Sequence, residues 1–163
     1  MEIKNLRFDK KALLSQFKIL DIRINGYGKA LLKSPLYKFS FPDEMIKITE
    51  VCLWDIGFRN GATFSEIEGF IESGPYDYCP VEFAPYIRLS YLKQPISGFC
   101  DKNKHPTDAS IIFSKPFLMD DTFPKGFYIR NIHGKLWLRG FLCSKDYHFP
   151  AQTRLIMRAD YKE

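Results

Sequence analysis

The sequence predicts an α+β fold in which N-terminal helices pack on a C-terminal antiparallel β-sheet. Two changes of texture along the chain predict it. Before about residue 95, apolar residues recur at steps of three and four, punctuated by N-cap residues, prolines and glycines. After Pro95, short runs rich in β-branched and aromatic residues alternate with turn residues. A third observation concerns size: 163 residues, 45% hydrophobic and 26% charged, suit one domain with one core. The whole chain, 1–163, is therefore read as a single domain, helical over about 1–95 and mainly β over about 96–163.

In chain order, Asp9 stands as N-cap before residues 10–20, where Leu13, Phe17 and Leu20 fall on one helical face. Gly26 and Gly28 break that pattern, and Pro35 argues against a helix through 29–41. Pro42-Asp43-Glu44 supplies a first-turn proline and two acids ahead of Met45, Ile48, Cys52 and Ile56, so a helix ending at Gly57 is expected. Thr63 and Glu66 form a capping box for a helix carrying Ile67, Phe70 and Ile71, closed by Gly74-Pro75. Cys79-Pro80 opens a further helical stretch from Val81 to about Tyr91, which Pro85 splits or kinks. Strands are expected over 109–113, 126–130, 135–139 and 154–158, with His133-Gly134 as a tight hairpin turn.

Composition excludes several classes. The chain is too apolar for a disordered tail, and no apolar run approaches the ~18 residues of a bilayer span. The opening Met1-Glu2-Ile3-Lys4-Asn5 lacks the pattern of a signal peptide, which points to the cytosol and no membrane partner. The net charge of +5 is unevenly spread. Residues 1–38 hold nine basic side chains against three acids, residues 39–100 four against nine, and residues 101–163 eleven against seven. No block of five like charges appears, so basic and acidic segments are expected to face each other in the fold.

The middle of the chain carries Gly61-Ala62-Thr63, Glu66-Ile67, and then Cys79-Pro80, Glu82, Pro85, Arg88-Leu89, Tyr91 and Gln94-Pro95. This C-P-x-E-x-x-P-x-x-R-L-x-Y-x-x-Q-P segment resembles a family of small uncharacterised bacterial proteins. Leu136-Trp137-Leu138-Arg139-Gly140 and Arg154-Leu155-Ile156-Met157 are similar to that family's C-terminal strands. The resemblance covers about residues 55–159. It implies a bacterial or phage-derived cytosolic domain and no particular catalytic role.

Motifs for chemistry are sparse. Cys52, Cys79, Cys100 and Cys143 lie too far apart for the close ligand pair of a zinc site, and no cofactor or metal is expected. Cys79, just ahead of a helix, is the one nucleophile candidate, and it would need one of His105, His133 or His148 beside it. His105-Pro106-Thr107 has the form of a two-histidine phosphoesterase motif without its required second copy. Glu68 and Glu72 stand at i, i+4, and the basic N-terminal segment is the expected source of their counter-charge. Glu82 and Arg88, six apart, can approach one face as an ion pair if Pro85 merely kinks the segment; Arg88 is read first as structural and otherwise as an anion or partner contact.

The aromatic content, 16% of residues, crowds Tyr76, Tyr78, Phe83, Tyr86 and Tyr91 into one window. Tyrosine and arginine anchor protein interfaces. The sequence therefore reads first as a non-enzymatic protein-interaction or accessory module, with Tyr76, Tyr78, Glu82, Tyr86 and Arg88 as its binding residues and another protein as its partner. The alternative is nucleic-acid binding through the basic N-terminal segment. A third reading is an enzyme with Cys79 as nucleophile.

Overall fold

Among the described residues seven strands form one mixed sheet, in the spatial order Glu2–Lys4, Met45–Cys52, Arg154–Arg158, Ser110–Ile112, Gly126–Ile132, Lys135–Phe141 and Arg23–Ile24. The computed structural model describes residues 1–98 and 108–159. In chain order the elements are β1 (Glu2–Lys4), α1 (Lys10–Ile19), β2 (Arg23–Ile24), α2 (Gly26–Lys33), β3 (Met45–Cys52), β4 (Ala62–Thr63), α3 (Phe64–Ser73), α4 (Ala84–Ser90), β5 (Ser110–Ile112), β6 (Gly126–Ile132), β7 (Lys135–Phe141), β8 (His148–Phe149) and β9 (Arg154–Arg158). The class is α+β, as expected. The antiparallel C-terminal sheet is corrected: β5 runs parallel to β9, β2 runs parallel to β7, and β1, β2 and β3 come from the first 52 residues.

Helices cover both faces rather than one. Ile112 and Ile156 belong to a core cluster with Leu13 and Phe17 of α1, Leu31 and Leu32 of α2, and Ile87 of α4. Ile111, Leu155 and Met157, one residue along in the same strands, join Phe64, Ile67 and Ile71 of α3. Side chains alternate across a pleat, so consecutive residues feed the two clusters. β5 is buried along its whole length as a result.

Local signals explain most of the elements. Asp9 caps α1 by accepting from Ala12 N, and Thr63 and Glu66 complete the capping box of α3. The Val81–Tyr91 stretch divides as Pro85 predicts, into a 3₁₀ turn over Val81–Phe83 and then α4. His133 and Gly134 both take positive φ, +50° and +80°, which closes the β6–β7 hairpin. The helix expected from Met45 is instead β3. Met45 and Lys47 are exposed while Ile46 and Ile48 are buried, the period of a strand, and β9 supplies the partner for Ile48 through Cys52. Cys52 consequently lies half-buried at a strand end, its Sγ donating to the Ala151 carbonyl at 3.2 Å.

Gly26 and Gly28 do not end a helix; they begin one. Asn25 caps α2 by accepting from Gly28 N at 2.8 Å, and the same Oδ1 accepts from Gly140 N at 2.8 Å. Its Nδ2 donates to the Gly140 carbonyl at 3.0 Å. A Cβ on Gly140 would fall 2.5 Å from the Tyr27 carbonyl carbon and 2.6 Å from Gly28 N. Backbone against backbone is what brings α2 onto β7. Gly140→Ala is expected to destabilise the fold by about 1–3 kcal/mol through this overlap. Gly69→Ala, inside α3 with open space around it, is expected to stabilise by about 0.5–1 kcal/mol. Urea denaturation of the two variants checks both signs.

Candidate functional site

The tyrosine window does not form one surface. Tyr76 and Tyr78 lean half-buried on the α3 side, Tyr76 against Phe70 and Tyr78 stacked on Phe113. Tyr86 belongs to the opposite cluster, is 6% exposed, and accepts a hydrogen bond from Phe8 N. Glu82 is half-buried, and burial raises its carboxyl above the usual range. Its backbone carbonyl accepts from the Tyr37 hydroxyl at 3.4 Å. The expectation of one docking surface from Tyr76, Tyr78, Glu82, Tyr86 and Arg88 gives way, because the sheet stands between them and Arg88 is fully enclosed.

Cys79 is buried in the core with no exposed surface. Burial pushes its thiol far up, against a smaller opposing pull from Arg158. Such a thiol stays protonated and out of reach of a dissolved substrate. Of the described histidines, His133 sits in the β6–β7 turn and His148 on β8, both exposed. Cys100 and the His105-Pro106-Thr107 triplet lie outside the described residues. Among the described residues no cluster of His, Cys, Asp and Glu could hold a metal ion.

Arg88 does not pair with Glu82. Its guanidinium donates to Gln94 Oε1, to the Tyr91 carbonyl and, at 3.4 Å, to the Trp137 carbonyl. Gln94 in turn donates to the carbonyls of Ile129 at 3.0 Å and Asp108 at 3.2 Å, and Asn131 donates to the Gln94 carbonyl at 2.8 Å. Desolvation draws the Arg88 pKa down to about 10, so it remains a charge at neutral pH. Beside this network, Glu50, Tyr91, Gln94, Ser110 and Arg154 line a cleft of about 110 Å³. There Glu50 Oε1 accepts from Arg154 Nε at 3.0 Å and from the Ser110 hydroxyl. The sequence reading missed this group because it placed Glu50 on a helix. The signal was present: Met45-Ile46-Lys47-Ile48-Thr49-Glu50 puts the carboxylate at an inward position of an alternating strand.

The charges around α3 also differ from expectation. Burial raises the Glu68 carboxyl, opposed by Lys145, Lys125 and Lys115, all from the second half of the chain and none from the N-terminal segment. Glu72 accepts from the Tyr78 hydroxyl at 3.3 Å. The acids at 43–50 are met by Arg158 on Asp43, Arg7 on Glu44 and Arg154 on Glu50. The facing of basic and acidic segments therefore holds mainly for β9.

The N-terminal lysines are left over. Lys4, Lys10, Lys11, Lys18, Lys29, Lys33 and Lys38 are all exposed, and none enters an ion pair among the described residues. Lys11 and Lys18 stand seven apart on the side of α1 away from buried Leu13 and Phe17. Lys29 and Lys33 stand four apart on the side of α2 away from Leu31 and Leu32. Two of the segment's three acids are engaged: Asp9 caps α1, and Asp21 takes Lys135 and Arg23, which hold its carboxyl below the usual range. No family model matches the chain, and no curated protein or solved structure matches it.

Two outcomes test this account. Arg88→Met keeps the stem and strands the carbonyls that the guanidinium serves, so a loss of about 3 kcal/mol is expected in urea denaturation. Native-state labelling with a thiol reagent is expected to leave Cys79 unmodified until the chain unfolds, as mapped by peptide mass spectrometry.

Proposed function

We propose that this protein is a non-enzymatic binding module whose ligand is the phosphate backbone of a nucleic acid, held by lysines of α1 and α2. The observation that carries this reading is the set of exposed lysines in residues 1–38 without ion-pair partners among the described residues. Lysine on a flexible stem is a point charge, suited to contacts that position a backbone without reading bases. Ridges at i, i+4 on α2 and i, i+7 on α1 repeat along the surface, and a repeating ligand engages such ridges better than one small anion. Burial of Cys79 speaks against the enzyme reading, and burial of Tyr86 and Arg88 takes two of the five residues from the protein-docking reading.

Fluorescence anisotropy with a labelled duplex of about 20 base pairs tests it. Affinity is expected to fall linearly in log–log form with salt, by about 0.9 in slope for each phosphate neutralised. Replacing Lys11, Lys18, Lys29 and Lys33 together by Gln, which keeps helix propensity, is expected to reduce that slope by about 3–4 with the fold unchanged. A wild-type chain that fails to bind at low salt would end the proposal.

A further inference from the structure

The outer edge of β1 carries a second, independent feature. β1 ends the sheet, paired only with β3 among the described strands, with Glu2 opposite Lys47, Ile3 opposite Ile46 and Lys4 opposite Met45. Met1 and Ile48 exchange both backbone bonds at 2.7 Å, and Asn5 N donates to the Glu44 carbonyl at 2.8 Å. In an antiparallel ladder the bonded pairs alternate, so Met1, Ile3 and Asn5 turn their backbone groups towards β3. Glu2 and Lys4 therefore turn theirs outward. Both line a groove of about 380 Å³ that also touches Leu6, Met45 and Leu89. Leu6 and Met45 are 49% and 42% exposed beside it.

We infer that β1 pairs with β1 of a second copy of this chain, joining two seven-stranded sheets edge to edge. The strand Glu2-Ile3-Lys4 is self-complementary. Set antiparallel about Ile3, each Glu2 stands opposite the Lys4 of the other copy, twice over by symmetry. Opposite charges in directly facing positions favour this register. The backbone geometry agrees, because the residues with outward N–H and C=O groups are the ones that would form the bonded pairs. Ile3 is 1% exposed in its own core, so the register carries both cores up to the joint. A strand from an unrelated protein would meet the edge hydrogen bonds but has no built-in reason to match the charge order. This inference stands apart from the nucleic-acid reading, which rests on α1 and α2.

Sedimentation equilibrium of the wild-type chain at about 0.3 mM tests it, since a joint this short gives weak association. A concentration-dependent dimer is expected. Glu2→Lys places two lysines opposite each other at both symmetry-related positions and is expected to raise the dimer dissociation constant about tenfold. Lys4→Glu does the same with carboxylates. An equimolar mixture of the two variants restores opposite charges across the joint and is expected to associate again, as a heterodimer. A monomeric wild type overturns the proposal and leaves the edge to another protein's strand; so does a dimer indifferent to both substitutions.

Discussion

A charge sealed inside the protein, with no carboxylate on it among the described residues, governs how the central elements meet. Arg88 has no exposed surface, and its acceptors are a glutamine side chain and two carbonyls. Removing a guanidinium from water costs several kcal/mol, and only converging acceptors offset it. The acceptors come from the turn after α4 and from β7, while Gln94 reaches on to β6 and to Asp108 ahead of β5. One side chain thereby fixes the 91–97 turn against the sheet. The cleft beside Glu50 inherits its shape from that turn, because Tyr91 and Gln94 form part of its wall.

At the far end of the sheet a neutral interaction does similar work for the basic helices. Asn25 satisfies Gly28 and both backbone groups of Gly140, acting at once as helix cap and as a strand partner. The two glycines let α2 approach β7 at backbone distance. With Leu31 and Leu32 pinned inward, Lys29 and Lys33 are turned to solvent by the 3.6-residue period. The same logic holds on α1, where Leu13 and Phe17 face the core and Lys11 and Lys18 do not. The display of positive charge is a consequence of how each helix is anchored.

Legibility in the sequence followed the range of the interactions. Asp9, the Thr63–Glu66 box and the His133-Gly134 turn act within four residues, and each was readable from its own neighbours. β3 was not, since Met45, Ile48, Cys52 and Ile56 also satisfy helical spacing. The decision between periods came from β9, more than a hundred residues away. The surroundings of Tyr86 and Arg88 are illegible for a related reason: no local signal tells a buried tyrosine or arginine from an exposed one. Their environments depend on Phe8, Gln94 and Trp137, brought together only by the sheet. Gly140 could be named from sequence but not explained, because its partner is Asn25.

The distribution of charge separates what folding requires from what it does not. On β3 and just ahead of it, arginines of β9 meet the acids: Arg154 at Glu50 and Arg158 at Asp43, in register with the strand that carries or follows those acids. Arginine's planar donors suit such fixed partners. The N-terminal segment instead uses lysines, exposed and unmatched by acids among the described residues. Surface charges of this kind contribute little to stability, and seven of one sign repel each other. Folding alone therefore gives no reason to gather five of them on two successive helices. The proposed nucleic-acid ligand would supply one, and the lysines are the part of this surface that core packing, helix capping and strand pairing leave unexplained.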